Sequence, residues 1–291
     1  MSESTSPKLA LVIGSGSVKC AAALGLWKVF QREGIELDMV VGCSGGSLYA
    51  AAIALGYDMD HTRQMTLDFW TGDLMSGYAS NLKATMSGEA RYNEHSGLVN
   101  GEPLLEVLTR AFGGKTFADA KLPLYIVATD FLTGEKVVLS EGRILDAVRA
   151  SAAIPMIFPP WEVNGQLLTD GAVSDPLPVD VAIREGGNII LAMGFELTLR
   201  KRLRSFNAVQ THLNAIYMNN ILRATYAFYN LAHHAEIIPV IPDFDESVSN
   251  FDTDSLPGII ELGEAVTEEQ LPYIKRLLMA GAAPIPRLPP K

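Results

Sequence analysis

The sequence predicts an α/β protein with a mainly parallel central sheet. Two patterns carry that expectation: short β-branched runs stop at glycines or turns, and helix-forming stretches stand between them. Composition supplies a third observation by exclusion. With 48% hydrophobic and 19% charged residues in 291, the chain can bury a sizeable core, which rules out a disordered chain, a collagen-like fibre and a long coiled coil.

Taken in order, Leu9–Ile13 reads as a buried strand entering the flexible Gly14-Ser15-Gly16-Ser17 loop. Helix formers fill residues 19–33, with Gly34 placed to cap their C-terminus. Residues 39–41 form a second apolar run ending in glycine, and residues 47–55 read as a largely buried helix. Residues 58–100 mix Met, Phe, Trp and Tyr with Gly and Ser, so a helical and looped insertion over the sheet is expected there. Strands follow at 124–128 and Lys136–Leu139, a helix at 144–153, and a strand at 166–169 ahead of Asp170-Gly171. Ile189–Met193 is another buried strand, and residues 207–232 form a long aromatic-rich helix behind Arg200-Lys201-Arg202-Leu203-Arg204. The last strand is expected at 237–241 and the last helix at 268–280, before a loose Pro-rich tail. Strands and helices alternate without a clear linker, so residues 1–291 are expected to form one domain, with 196–291 as a mainly helical C-terminal part.

The 23 basic and 33 acidic side chains leave a formal charge of −10, which argues against nucleic acid as a partner. Cys20 and Cys43, the only cysteines, cannot build a disulfide framework or a four-cysteine zinc site. The start MSESTSPK lacks the basic and apolar segments of a secretory signal, and no apolar stretch reaches the roughly 18 residues of a membrane span. A soluble cytoplasmic protein is expected; export by a route without a cleavable signal stays open.

Gly42-Cys43-Ser44-Gly45-Gly46 is the one G-x-S-x-G match. It lies between an apolar strand and a helix, the setting in which a sharp turn exposes the serine oxygen as a nucleophile. The Gly45 N–H at the helix start then faces the oxygen of an attacked carbonyl. A tightly packed Gly/Ser turn without chemistry is the alternative. Residues 14–19 also join a strand to a helix, but Lys19 replaces the last glycine of a dinucleotide fingerprint, and no G-K-[ST] follows. The loop reads instead as a second source of backbone donors, with Lys19 adding positive charge or standing as a solvated first-turn lysine. Asp170-Gly171, taken alone, says only turn.

These three segments in this order, with Arg149-Ala-Ser-Ala-Ala-Ile-Pro-Met-Ile-Phe-Pro-Pro before Asp170 and Leu177-Pro178-Val179 after it, resemble the patatin-like phospholipase family over roughly residues 8–195. The resemblance implies a three-layer α/β/α sandwich and a Ser–Asp dyad without histidine. Ser44 would be the nucleophile, Asp170 the group that activates it, and Gly14, Ser15, Gly16 and Ser17 the oxyanion loop. Lys19 would occupy the usual arginine position, and Asp170-Gly171-Ala172 the usual D-G-G. It implies a lipid or fatty-acyl ester substrate and neither metal nor other cofactor.

Alternatives stand beside it. Ser44, Asp170 and one of His212, His233 or His234 follow the chain order of an α/β-hydrolase triad. Cys43 could be a nucleophile, although its side chain should point away from the elbow's tip. A lipid-binding or scaffolding protein could keep the fold without turnover. Asp243-Phe-Asp-Glu246 reads as a solvated loop rather than a metal site. Residues 200–204 could touch an anionic lipid surface, giving peripheral membrane contact, or be a solvated helix end. Phe69, Trp70, Leu74, Met75 and Tyr78 could line an acyl channel or a membrane-facing rim, or pack in the core. The sequence leaves the oligomeric state open.

Overall fold

The computed structural model describes residues 7–70, 72–197, 199, 201–232, 235–244 and 253–280. The first strand, β1 (Leu9–Ile13), is buried throughout, as its unbroken apolar sequence requires. A short 3-10 turn leads into α1 (Ala22–Glu33), which stops at Gly34 in the left-handed conformation, φ 64°. β2 (Met39–Cys43) pairs parallel with β1, and α2 (Gly45–Leu55) starts two residues further on, with only Ser44 between. Every residue of α2 is buried, which is why its sequence shows no polar face.

As expected, the described residues of 58–100 contain helix and loop but no strand: α3 (Met59–Phe69), a 3-10 turn at Gly72–Met75, and α4 (Tyr78–Met86). Next comes a helix absent from the sequence reading, α5 (Glu102–Phe112), which buries Leu104, Val107, Leu108, Ala111 and Phe112 on one face. β3 (Leu124–Asp130), β4 (Lys136–Leu139) and α6 (Ile144–Ser151) lie where strand, strand and helix were expected. β5 (Trp161–Val163) was also missed; Asn164 and Gly165, both at positive φ, turn it back antiparallel onto β6 (Gln166–Asp170).

A short α7 (Val179–Arg184), β7 (Ile189–Met193), α8 (Phe206–Ala232), β8 (Glu236–Val240) and α9 (Leu256–Ala280) complete the chain. α9 begins at Leu256 rather than at 268, because Gly263 does not break it. A side chain on Gly263 would overlap the Ala22 carbonyl, so this glycine lets α9 cross close to α1. The expected Pro-rich tail at 281–291 lies outside the described residues. No helix among the described residues is long and apolar enough to cross a membrane.

The eight strands form one mixed, mostly parallel sheet in the order β5-β6-β3-β2-β1-β7-β8, with β4 also paired to β3. Leu9, Leu11 and Ile13 of β1 face a core shared with α1, α2, α5, α6 and α9. The alternate residues Ala10 and Val12 face a smaller core with α7 and α8. The result is three layers, helices on both faces of a sheet.

Register places the site. β4 pairs with Ile126–Thr129 of β3, overlapping both the β2 partners at Leu124–Val127 and the β6 partners at Ala128–Asp130. A strand has two edges, so β2 and β6 must share the edge opposite β4, end to end. β2 runs parallel to β3 and ends at Cys43 opposite Val127; β6 runs antiparallel and ends at Asp170 opposite Ala128. Two strands thus arrive head to head and deliver Ser44 and Asp170 to one point.

Candidate active site

Ser44 has φ 53° and ψ −128°, a conformation that side-chain-bearing residues rarely adopt. The surroundings hold it there. Its N–H donates to Ser151 Oγ at 2.8 Å, Ser151 Oγ donates to the Val127 carbonyl at 2.6 Å, and Ser47 Oγ donates to the Ser44 carbonyl at 2.6 Å. A side chain on Gly46 would overlap the carbonyls of Ile13 and Gly14, so the elbow packs directly onto the end of β1. The flanking glycines are there for close approach. Ser151 carried no separate signal in the sequence, although it stands inside the Arg149-Ala-Ser stretch.

Ser44 Oγ donates to Asp170 Oδ2 at 2.7 Å. The other carboxylate oxygen, Oδ1, accepts from Ala172 N at 2.8 Å, and the Asp170 backbone is tied by Ala153 O and Thr129 Oγ1. Asp170 is 3% exposed, and burial pushes its carboxyl up from 3.8 to about 6 against the opposing pull of the Ser44 hydroxyl and the Ala172 N–H. A carboxylate made this basic, in contact with a serine hydroxyl, can accept its proton.

The glycine loop divides into two parts. Gly14 N donates to Met193 O at 2.9 Å and Ser15 N to Pro176 O at 2.8 Å. That corrects the expectation that all four loop residues present donors: these two N–H groups fix the loop to the sheet edge instead. Gly16 N, Ser17 N and Gly45 N make no such bond within the described residues, and helix starts leave such groups unpaired. Ser17 N would lie 3.1 Å from a Cβ placed on Gly45, so these donors come from segments in contact.

Lys19 is not solvated. It is buried, its Nζ donates to the Glu196 carbonyl at 3.3 Å, and it lies 5.2 Å from the centre of the Phe244 ring. Burial lowers its pKa. Cys43 Sγ donates to the Asp175 carbonyl at 3.3 Å, and burial raises its thiol well above the ordinary value, so it cannot be the nucleophile in this arrangement. Among the described residues no histidine hydrogen-bonds to Ser44 or Asp170; His212 sits half-buried on α8, and His233 and His234 lie outside the described residues. Asp243 and Phe244 are described but Asp245 and Glu246 are not, and no described group of His, Cys, Asp and Glu could hold a metal.

Beside Ser44 and Gly45 lies a small, partly open recess. Phe69, Trp70 and Leu74 line it from the 58–100 region, with Leu104, Ala152, Ile154 and Phe158 completing the wall. Trp70 Nε1 donates to Tyr49 Oη at 3.2 Å, fixing the indole against α2. Met75 and Tyr78, expected in the same wall, are half-buried and pack against the core. The walls are almost wholly apolar, so the space beside the hydroxyl suits hydrocarbon rather than a charged or sugar group.

Fold and site together define a serine-elbow α/β protein with an acid partner and an apolar slot. The model of the patatin-like phospholipase family matches residues 11–183, and the chain belongs to that family. An NTE-family protein of Mycobacterium tuberculosis is 26% identical over 229 residues, covering 79% of this chain and 59% of its own length. Patatin-like phospholipase domain-containing protein 6 of Mus musculus is 27% identical over 191 residues, covering 65% of this chain and 14% of its own. The chain therefore spans well under two thirds of these relatives. Among solved structures, human GIVD cytosolic phospholipase A2 bound to methyl γ-linolenyl fluorophosphonate matches with a TM-score of 0.53 and 12% identity, over 97% of this chain and 60% of its own. VipD from Legionella pneumophila matches with a TM-score of 0.51 and 15% identity, over 92% of this chain and 67% of its own. At such identities the likeness is one of fold.

Proposed function

We propose that this protein hydrolyses lipid acyl esters through an acyl-enzyme on Ser44, with Asp170 as the only proton acceptor. The 2.7 Å hydrogen bond from Ser44 Oγ to a buried carboxylate that no cation among the described residues neutralises carries the reading. Family membership and the apolar recess support a fatty-acyl substrate.

In the first half-reaction Ser44 Oγ attacks the ester carbonyl carbon while Asp170 Oδ2 takes its proton. The carbonyl oxygen becomes an oxyanion, for which Gly16, Ser17 and Gly45 offer N–H groups. Collapse breaks the bond to the alcohol, which leaves with the proton from Asp170. Water then repeats the sequence, its proton passing to Asp170 and returning to Ser44 as the fatty acid departs. The strained elbow costs stability and sets Ser44 between Asp170 and the recess.

The test is a short-chain ester assay together with labelling by a fluorophosphonate. Wild type is expected to turn over the ester and to take one phosphonate on Ser44, and Ser44→Ala to do neither while staying folded. Full labelling of Ser44→Ala would remove Ser44 from the role.

A further inference from the structure

We propose that the sheet edge carrying Ser44 docks the protein onto an anionic lipid surface, which names the partner of the active site and rests on the hydrolase reading for its purpose. β1, β2, β3, β7 and β8 are parallel, so their C-terminal ends gather at one edge, and Ser44 follows β2 there. Large apolar side chains lie open to water at that same edge. Phe131 and Leu132 follow β3, Leu199 and Leu203 follow β7, Ile241 follows β8, and Met156 lies just beyond the α6 end that holds Ser44. Leu132 is 75% exposed, which a water-facing loop gains nothing from.

The surface continues onto α8. Gln210 Nε2 lies 3.3 Å from Met156 Sδ, tying the start of this helix to the rim, and Val209 and Leu213 are exposed on its first turns. Arg223 is the one Lys, Arg, Asp or Glu in its 27 residues, and it is paired with Glu196.

Charge selects the occupant. The chain carries −10 overall, yet Lys201, Arg202 and Arg204 are exposed between Leu199 and Val209, interleaved with the apolar groups. Of the described acids near this edge, Asp130 is turned onto the amides of Leu132 and Thr133 and Glu196 is paired with Arg223, while Asp243, two residues past Ile241, is exposed and offsets one of these cations. Cations beside exposed hydrocarbon match an interface that offers phosphate above acyl chains, and that interface is also where the proposed substrate resides.

The 291-residue chain carrying Ser44→Ala, which leaves vesicles intact, is sedimented with vesicles of phosphatidylcholine alone or mixed with phosphatidylglycerol. Partitioning onto the mixed vesicles is expected to be at least about tenfold stronger and to fall with salt. Adding Leu132→Asp with Leu203→Asp, or Lys201→Glu with Arg202→Glu and Arg204→Glu, should each cut it about tenfold or more. Equal binding to both vesicle types, or unchanged binding by both sets, overturns the proposal. So does a dimer in sedimentation velocity that the aspartates dissolve in the absence of vesicle binding, which would make a second copy the occupant. Soluble-ester turnover by chains that keep Ser44 separates the two readings: vesicle binding without any turnover would defeat the hydrolase and leave the docking surface standing.

Discussion

Asp170 and Asp175 are both buried, close together on the chain, and differently supplied. Asp175 Oδ2 receives the Lys136 ammonium at 2.9 Å, and Lys136 reaches on to Asp180 at 2.6 Å, which Arg184 also contacts. Burial pushes the Asp175 carboxyl up even against the pull of Lys136, while the Lys136 hydrogen bond and the neighbouring cations hold Asp180, which is less deeply buried, below the usual range. Asp170 has a serine hydroxyl and one backbone N–H, and its carboxyl rises to about 6. Both acids bear the cost of burial; Asp175 has an ammonium to offset part of it, whereas Asp170 has only a serine hydroxyl and an amide among the described residues, a cost that a fold tolerates where the group is used.

That contrast can be broken most forcefully at Asp170. Asp170→Asn should lower ester turnover by at least roughly a thousandfold, since an amide cannot accept the serine proton. It should also raise stability. The folded carboxyl binds its proton up to about pH 6 and the unfolded one only up to about 3.8, so the folded state loses stability as pH rises through that window. The gain from Asp170→Asn should be on the order of 1–3 kcal/mol at pH 8 and vanish near pH 3. Denaturant melts at both pH values check the sign. An unstable Asp170→Asn at pH 8 would mean that the carboxylate is a structural anchor after all.

Lys136→Met should do the reverse. It leaves the buried Asp175 without its cation and Asp180 with Arg184 alone, and should cost on the order of 2–4 kcal/mol at pH 7, while the folded fraction keeps most of its turnover. Ser151→Ala sharpens the comparison with a smaller effect: it leaves Ser44 N and Val127 O without their shared hydroxyl, for about 1–2 kcal/mol of stability and roughly tenfold in kcat, with KM little changed. Chemical denaturation and steady-state kinetics read both.

The sequence showed the elbow plainly, because strand, turn and helix at Ser44 are local features. Asp170 had no local signal beyond Asp-Gly; its place depends on β6 meeting β2 along one edge of β3, a pairing between distant segments. The hairpin of β5 and β6 carries a local signal, Asn164-Gly165 ahead of the apolar end of β6, but β5 has only three residues and gives a weak strand pattern. Gly14 and Ser15 looked like donors because sequence shows which residues have N–H groups but not which carbonyls, here Met193 and Pro176, will take them. Lys19 reads as a positive charge beside the loop or as a solvated lysine, because nothing near it in sequence reveals that Glu196 and Phe244 lie against it. The front of α9, expected only from 268, carries Gly263, whose place in the helix depends on the close crossing of α1 rather than on anything local.

The claim that Ser44 is activated by an unpaired buried carboxylate is tested most directly by the rate of fluorophosphonate labelling against pH. The second-order rate constant should rise about tenfold per unit at low pH, bend near pH 6 where Asp170 ionises, and stay level above it, with the bend absent in Asp170→Asn. A bend near 7 that survives Asp170→Asn and disappears on substitution of His212, His233 or His234 would contradict the account and assign the proton to histidine.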